Sequence, residues 1–280
     1  MTYPGGKNGD GVYQRIINHM PKHERYIEAF LGGGAIVRMK KPAISSIGID
    51  ADGDVLRDFA ARQAIAFRAL RSDGIPNLTL IHADAIEWLA IHATDSDTIS
   101  PNTLVYLDPP YVISTRRQHR PIYRYELSEA DHVCLLEIAK MLPCMVIISG
   151  YWSELYAQAL TGWRTDHFTA RTRGGATAIE WLWMNYPEPL ELHDYRYLGK
   201  NFRERERIHR KIERWKNRLI DMDSLERHAI MAAIDEIRST SPGTTMTAAA
   251  IAETGGVITT PNVMMHAGIA IDGAVTIGES

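Results

Sequence analysis

The chain has 280 residues, 45% hydrophobic and 23% charged, ordinary globular values that exclude wholesale disorder. Its 31 Lys and Arg against 34 Asp and Glu leave a formal charge of −3, so a uniformly basic nucleic-acid coat is excluded but a local basic patch is not. Two cysteines, Cys134 and Cys144, are too few for a disulfide scaffold or a four-thiolate zinc site. No apolar run approaches the roughly 18 residues of a membrane span, and the first residues have no apolar signal core, so a soluble cytoplasmic protein is expected.

Short runs rich in Ile and Val alternate with helical stretches over residues 1–190. Strands are predicted at 25–30, 46–50, 78–82, 103–107, 145–149 and 178–185, and helices at 55–71, 85–91 and 129–141. Ser128 followed by Asp131 reads as a capping pair for the last of these helices. The alternation argues for an α/β domain, a mostly parallel sheet covered by helices on both faces. In such sheets ligands sit beyond the carboxyl ends of the strands. From 196 to 218 the composition turns basic, with ten Lys or Arg against three Glu, a surplus of seven among strong helix formers. Residues 221–238 read as a second helix and 239–243 as a linker. The stretch 240–280 has no Lys or Arg and is rich in Gly, Ala and Thr, so it reads as a flexible or weakly β tail. The expected division is a domain over 1–190, a basic helical extension over 191–238 and a tail over 239–280.

The most specific motif is Asp108-Pro109-Pro110-Tyr111, directly after the apolar run 103–107. It sets a carboxylate at a strand end before a stiff turn whose prolines have no N–H. A tyrosine ring stands beside these acceptors, which together suit a planar group bearing an NH2. A lone Asp-Pro turn would be only a strand terminator; the full tetrapeptide at this place favours function. A second motif, Glu28-Ala29-Phe30-Leu31-Gly32-Gly33-Gly34-Ala35, lets backbone approach a ligand closely. It is not a nicotinamide loop, because Val37 stands at the third spaced glycine, and Gly5-Gly6-Lys7 is not a phosphate loop, because Asn8 replaces the required Ser or Thr. Asp50 and Asp84 end two further strands, where a carboxylate can take ribose hydroxyls. Either alone is more often a helix cap; with Asp108 and a glycine loop they form a nucleoside-binding pattern.

In these residues the chain resembles the Dam-like, S-adenosylmethionine-dependent adenine-N6 DNA methyltransferases. The resemblance covers about residues 1–190. It rests on Tyr3-Pro-Gly-Gly-Lys7, the glycine loop 28–34, Asp108-Pro-Pro-Tyr111, Tyr125-Glu126, Asp131-His132, Ser149-Gly150-Tyr151 and Glu180-Trp-Leu-Trp-Met-Asn185. It implies a Rossmann-like methyltransferase fold, S-adenosyl-L-methionine as cofactor, DNA as partner, no metal, and a phage or restriction-modification setting. It also implies roles. Tyr3, Lys7 and Phe30 line the cofactor's methionine end; Glu28, Gly32 and Gly34 belong to the cofactor loop; Asp50 holds the ribose; Asp84 and Ala85 meet the adenine. Asp108 and Pro109 hold the target amine and Tyr111 stacks on the target base. Dam-like enzymes carry a sizeable recognition insert between the ribose acid and the catalytic tetrapeptide, whereas here 57 residues separate Asp50 from Asp108. RNA adenine-N6 and DNA cytosine-N4 methylation use the same tetrapeptide logic, and a silent nucleic-acid-binding module is the alternative from another class. Glutamine-amide methylation would more typically need Asn in place of Asp108.

Weaker patterns carry less. His19 and His23 have metal spacing but Pro21 between them, and read as a solvated pair. Cys134 and Cys144 read as buried core thiols. Arg116, Arg117, Arg120 and Arg124 follow the tetrapeptide with tyrosines interleaved, and favour phosphate or base contact over a plain solvated loop. Arg203, Arg207, Arg210 and Arg214 recur at helical spacing and favour nucleic-acid contact over a solvated helix.

Overall fold

The central strand, β4 (Thr103–Leu107), reads Thr-Leu-Val-Tyr-Leu, and all five of its residues are buried. Such a run has no face to turn to water, so it must lie inside a sheet covered on both sides. In the computed structural model that sheet has seven strands in the order β3-β2-β1-β4-β5-β7-β6. The others are β1 (Arg25–Ala29), β2 (Ser45–Asp50), β3 (Leu78–His82), β5 (Met145–Gly150), β6 (Arg164–Arg171) and β7 (Thr177–Met184). β1 to β5 run parallel; β7 is antiparallel to β5 and forms a hairpin with β6. The described residues are 6–9, 11–70, 75–117, 119–171 and 175–240. They belong to one unit, Met1–Thr244.

Successive strand residues point to opposite faces and feed two cores. Ile27, Ala29, Val105, Leu107, Val146 and Ile148 meet α4 (Ala85–His92), α5 (Glu129–Met141) and α6 (Glu154–Ala159). Tyr26, Leu104, Tyr106, Ile147 and Leu182 meet α1 (Val12–Ile17), α2 (Ala35–Met39) and α3 (Gly53–Leu70). This is the covered, mostly parallel sheet expected from the alternation, in the Rossmann-like arrangement that the resemblance implies. Ser128 and Asp131 close a reciprocal capping box at the start of α5. After β7 the chain returns to the base of the sheet: Asn18 Nδ2 donates to the Tyr197 carbonyl at 2.6 Å and Lys41 N to Asp194 Oδ2 at 2.8 Å. α7 (Phe202–Ile220) then starts on an Asn201 cap, and α8 (Ser224–Thr240) follows.

Several boundaries and two side-chain readings differ from the expectation. β1 stops at Ala29, because Phe30 takes a left-handed φ of 64° and opens the glycine loop. Cys134 is exposed, not buried, since it sits on the outer face of α5; Cys144 is buried. His23 is not solvated: it is 5% exposed and its ring stacks on His193 at 3.8 Å. His19 is held 2.9 Å from Asp166. The expected tail lies, from 241 on, outside the described residues, as does Tyr3. Among the described residues no helix is long and apolar enough to cross a membrane, and no cluster of His, Cys, Asp or Glu could hold a metal ion.

Gly34 has φ +57° and lies against the Phe59 ring, where a Cβ would overlap the ring carbons. Gly34→Ala adds a left-handed alanine to an overpacked contact, so it should cost at least about 2 kcal/mol. Urea denaturation of the variant measures this; an unchanged midpoint would show that Phe59 can yield.

Candidate active site

The strand order reverses between β1 and β4, and a cleft of about 990 Å³ opens at their carboxyl ends. Its walls are Phe30–Ala35 after β1, Asp50 and Asp52 at and after the end of β2, Asp84 and Ala85 after β3, and Asp108 and Pro110 after β4. The segment Ile122–Leu127 lies along the rim. Nine acids but only three basic side chains, Lys7, Arg62 and Arg124, line it. A cleft with that balance repels a pyrophosphate and suits a ligand that carries positive charge.

Asp50 and Asp84 are fixed by backbone N–H groups. Gly32 N donates to Asp50 Oδ2 at 2.7 Å and Asp52 N to Oδ1 at 2.9 Å, which braces the carboxylate between two loops. Each of its oxygens keeps a further acceptor position. Burial raises the Asp50 pKa. Asp84 caps α4, its Oδ1 taking the N–H groups of Ile86 and Glu87 at 2.8 and 3.0 Å. Glu28 is buried in β1, and its Oε2 accepts from Tyr26 Oη at 2.9 Å and Val37 N at 2.7 Å. Burial pushes its pKa up to about 8, against the hydrogen bonds that favour the anion.

The deepest feature is a polar cluster around Lys7, whose side chain is 6% exposed. Its Nζ lies 2.7 Å from Asp108 Oδ1 and 3.0 Å from Glu180 Oε1, and it also donates to the Tyr111 hydroxyl. An ammonium has three donors, and these partners use all three. Tyr111 Oη donates to Glu180 Oε1 at 2.5 Å. Burial alone would lower the Lys7 pKa, but the two carboxylates outweigh it and raise it. Ser149 Oγ donates to Asp108 Oδ1 at 3.0 Å and sits 2.8 Å from Tyr106 Oη. Oδ1 is therefore doubly occupied, while Oδ2 has no hydrogen bond among the described residues.

Lys7, Glu28, Phe30, Gly32, Gly34, Asp50, Asp84, Ala85 and Asp108 thus line one cleft. Pro109 is buried behind it, and the Tyr111 ring packs edge-on against Tyr151 at 4.5 Å between centroids. The arginine loop divides. Arg116 is 7% exposed and forks onto Glu126 at 2.7 and 2.5 Å, with Nε on the Tyr111 carbonyl at 2.8 Å. Its guanidinium is consumed inside the protein and does not face a nucleic acid. Arg124 pairs with Asp54 at 2.9 Å, while Arg117 and Arg120 are exposed. Arg203, Arg207, Arg210 and Arg214 are exposed on α7, where Arg207 and Arg210 have loose pairs with Glu204 and Glu206. Sequence reasoning assigned no role to Glu180, Ser149 or Glu126, although each lies in a stretch that carries the family resemblance. A charged residue in the otherwise apolar strand 178–185 was the available clue to Glu180.

No family model matches the chain, and no curated protein does. Solved structures with a similar fold include a precorrin 8W decarboxylase from Methanobacterium thermoautotrophicum (13% identity, 66% of this chain and 94% of that one, TM-score 0.41). Others are an rRNA methylase from Streptococcus thermophilus (12%, 61% and 90%, 0.36) and the N-methyltransferase NodS from Bradyrhizobium japonicum (8%, 62% and 93%, 0.40). At such identities and TM-scores these likenesses carry no argument about function, which rests on the cleft itself.

Glu28 gives a pH test. Between its usual pKa of 4.5 and about 8 the folded protein keeps a proton that the unfolded chain releases, so its contribution to stability falls as pH rises through that window. Glu28→Gln imitates the protonated acid. It should gain on the wild type progressively from pH 5 to 8, by on the order of a few kcal/mol. Urea titrations at several pH values check this; a pH-independent difference would mean that Glu28 is ionised in the fold.

Proposed function

We propose that this chain transfers a methyl group from S-adenosylmethionine to an exocyclic amine of a nucleic-acid base, with adenine N6 in DNA as the target. The observation that carries the reading is Asp108, fixed through one oxygen at the end of β4 and presenting the other beside an acidic cleft. The cleft fits the cofactor on its own terms. Its surplus of carboxylates matches a sulfonium and an ammonium, Asp50 has acceptor positions left for ribose hydroxyls, and the turn at Gly32–Gly34 leaves room for close approach. Lys7, Glu28, Phe30, Asp50, Asp84 and Ala85 would hold it. Bound there, it supplies a methyl group already activated for displacement, which needs no metal.

The amine is a poor nucleophile because its lone pair is delocalised into the base. Asp108 Oδ2 and the Pro109 carbonyl would accept its two N–H bonds and favour a pyramidal nitrogen, which frees that pair. Fixed alignment of amine and methyl supplies much of the acceleration. In a duplex the base must first be turned out of the stack. The Tyr111 ring would stack on the displaced base, worth about 1–3 kcal/mol by comparison with single-strand binders. The acidic cleft cannot attract phosphates, so backbone contacts fall to exposed Arg117 and Arg120, to Arg124 at the rim, and to α7.

Two outcomes test the site. Asp108→Ala should lose more than nine-tenths of the methyl-transfer rate, at least about 1.4 kcal/mol of barrier, with cofactor affinity kept. Asp50→Ala should weaken cofactor binding at least tenfold by calorimetry, the loss of about 1.5–3 kcal/mol of charged hydrogen bonding. Mass spectrometry of nucleosides from treated DNA and RNA identifies the product: N6-methyladenine from DNA supports the reading. The same base from RNA, or N4-methylcytosine, redirects it, and no turnover at all favours a silent binding module.

The basic helix supplies a separate test. Arg196–Arg218 carries a surplus of seven on a chain of −3, so the remainder is −10 and only a local patch can attract DNA. Each neutralised phosphate adds about 0.9 to the slope of log affinity against log salt. Replacing Arg203, Arg207, Arg210 and Arg214 by Ala should flatten that slope by roughly two to four units, alike for all sequences and without effect on cofactor binding. An unchanged slope would make α7 a solvated helix.

A further inference from the structure

Glu180 lies on β7, on the far side of the sheet centre from the cofactor loops, yet it is 5% exposed and meets the Asp108 cluster. Nothing in the transfer chemistry described above calls for a second buried carboxylate. A buried acid is costly unless it is paired and hydrogen-bonded. Glu180 Oε1 takes both Lys7 Nζ and Tyr111 Oη, at 3.0 and 2.5 Å, and so ties two groups that both border Asp108.

Two consequences follow from counting donors and charges. Lys7 spends one N–H on Glu180 and one on Tyr111, so the third is aimed at Asp108 Oδ1. With Ser149 on the same oxygen, the carboxylate cannot rotate without breaking two hydrogen bonds, and Oδ2 is the one that stays open. The charges give the second consequence. Two carboxylates and one ammonium leave the cluster one negative charge in excess, whereas Lys7 and Asp108 alone would be neutral.

We propose that Glu180 is a positioning residue for the reaction proposed above, on which this inference rests: it locks Lys7 so that only Oδ2 of Asp108 receives the amine, and it supplies the excess negative charge that faces the nitrogen as it becomes cationic. During transfer the new N–C bond forms as the C–S bond breaks and its electron pair returns to sulfur. The nitrogen then carries a positive charge until it releases one proton to Asp108 Oδ2. A fixed negative charge tied through Lys7 to Asp108 favours that cationic stage over the neutral ground state. Burial also raises the Glu180 pKa, ahead of the opposing pull of Lys7.

The test uses the full chain with Glu180→Gln, Glu180→Asp and Glu180→Ala. In the cofactor-free protein, NMR titration of labelled lysine should show the Lys7 pKa lowered in Glu180→Gln, because one of the two carboxylates that hold it up is gone. Under single-turnover conditions Glu180→Gln should lose at least tenfold in transfer rate. Its KM for DNA and its calorimetric affinity for S-adenosylmethionine should stay within twofold, and the acid limb of its rate profile should move. Glu180→Asp keeps the charge and should recover part of the rate, whereas a merely structural role would give the same loss in Gln and Asp. Glu180→Ala leaves the buried Lys7 ammonium without one of its two carboxylates, so the other two variants carry the test if it does not fold. A Lys7 pKa that does not move, or Glu180→Gln within threefold of wild type, overturns the inference. A wild type that methylates no base amine sinks the function reading instead, and the lysine titration then still decides whether the cluster exists.

Discussion

Lys7 is the point on which the site depends. It comes from the first few residues of the chain, yet its ammonium bridges Asp108 after the central strand and Glu180 on β7. Two buried carboxylates this close would repel each other, and one would take up a proton. The ammonium between them offsets that repulsion and holds Oδ1 of Asp108, which leaves Oδ2 as the oxygen without a hydrogen bond among the described residues. Removing one partner of a buried ion pair typically costs about 3–5 kcal/mol because it strands the other charge. Lys7 is thus held in place by the same contacts that order the candidate catalytic group.

Around that point the protein separates its charges. The cleft is acidic, with carboxylates braced by backbone N–H groups at Asp50 and Asp84. Positive charge is placed outside it, on the loop after the tetrapeptide and along α7. One surface cannot attract both a cation and a polyanion, and on the proposed function the separation lets each be met on its own ground. Arg116 shows that sequence position alone does not assign a charge to either side. It stands in a run of arginines, but Glu126 draws it inward, where it ties Tyr111 to the segment that rims the cleft.

α7 carries two stripes. Ile208, Ile212, Trp215 and Leu219 recur at the same spacing as Arg203, Arg207, Arg210 and Arg214, five positions later, which is about 140° around a helix. No residue of α7 is buried, and Trp215 is 52% exposed. The basic stripe is therefore free to meet phosphates whatever the apolar one meets.

The sequence by itself determined the parallel half of the sheet, because β1 to β5 are short runs carrying Ile, Leu or Val; β4 is buried throughout, whereas β3, at the edge of the sheet, has no fully buried residue, and β3, β4 and the capped start of α5 fall where the pattern puts them. It also pointed to the strand-end acids Asp50, Asp84 and Asp108, which line the cleft because strand-end positions in such a sheet converge. It did not show β6, an edge strand of mostly polar and charged residues in which only Phe168 is buried. It did not show α1, α2 or α6 either, at five or six residues too short to display a helical period. Only the tertiary structure decided the pairing of charges: that Lys7 faces Asp108 and Glu180, 101 and 173 positions away, that Arg116 turns inward, and that His23 is buried against His193. Burial and strand register set those contacts, and neither is written in the local run of residues around any one of them.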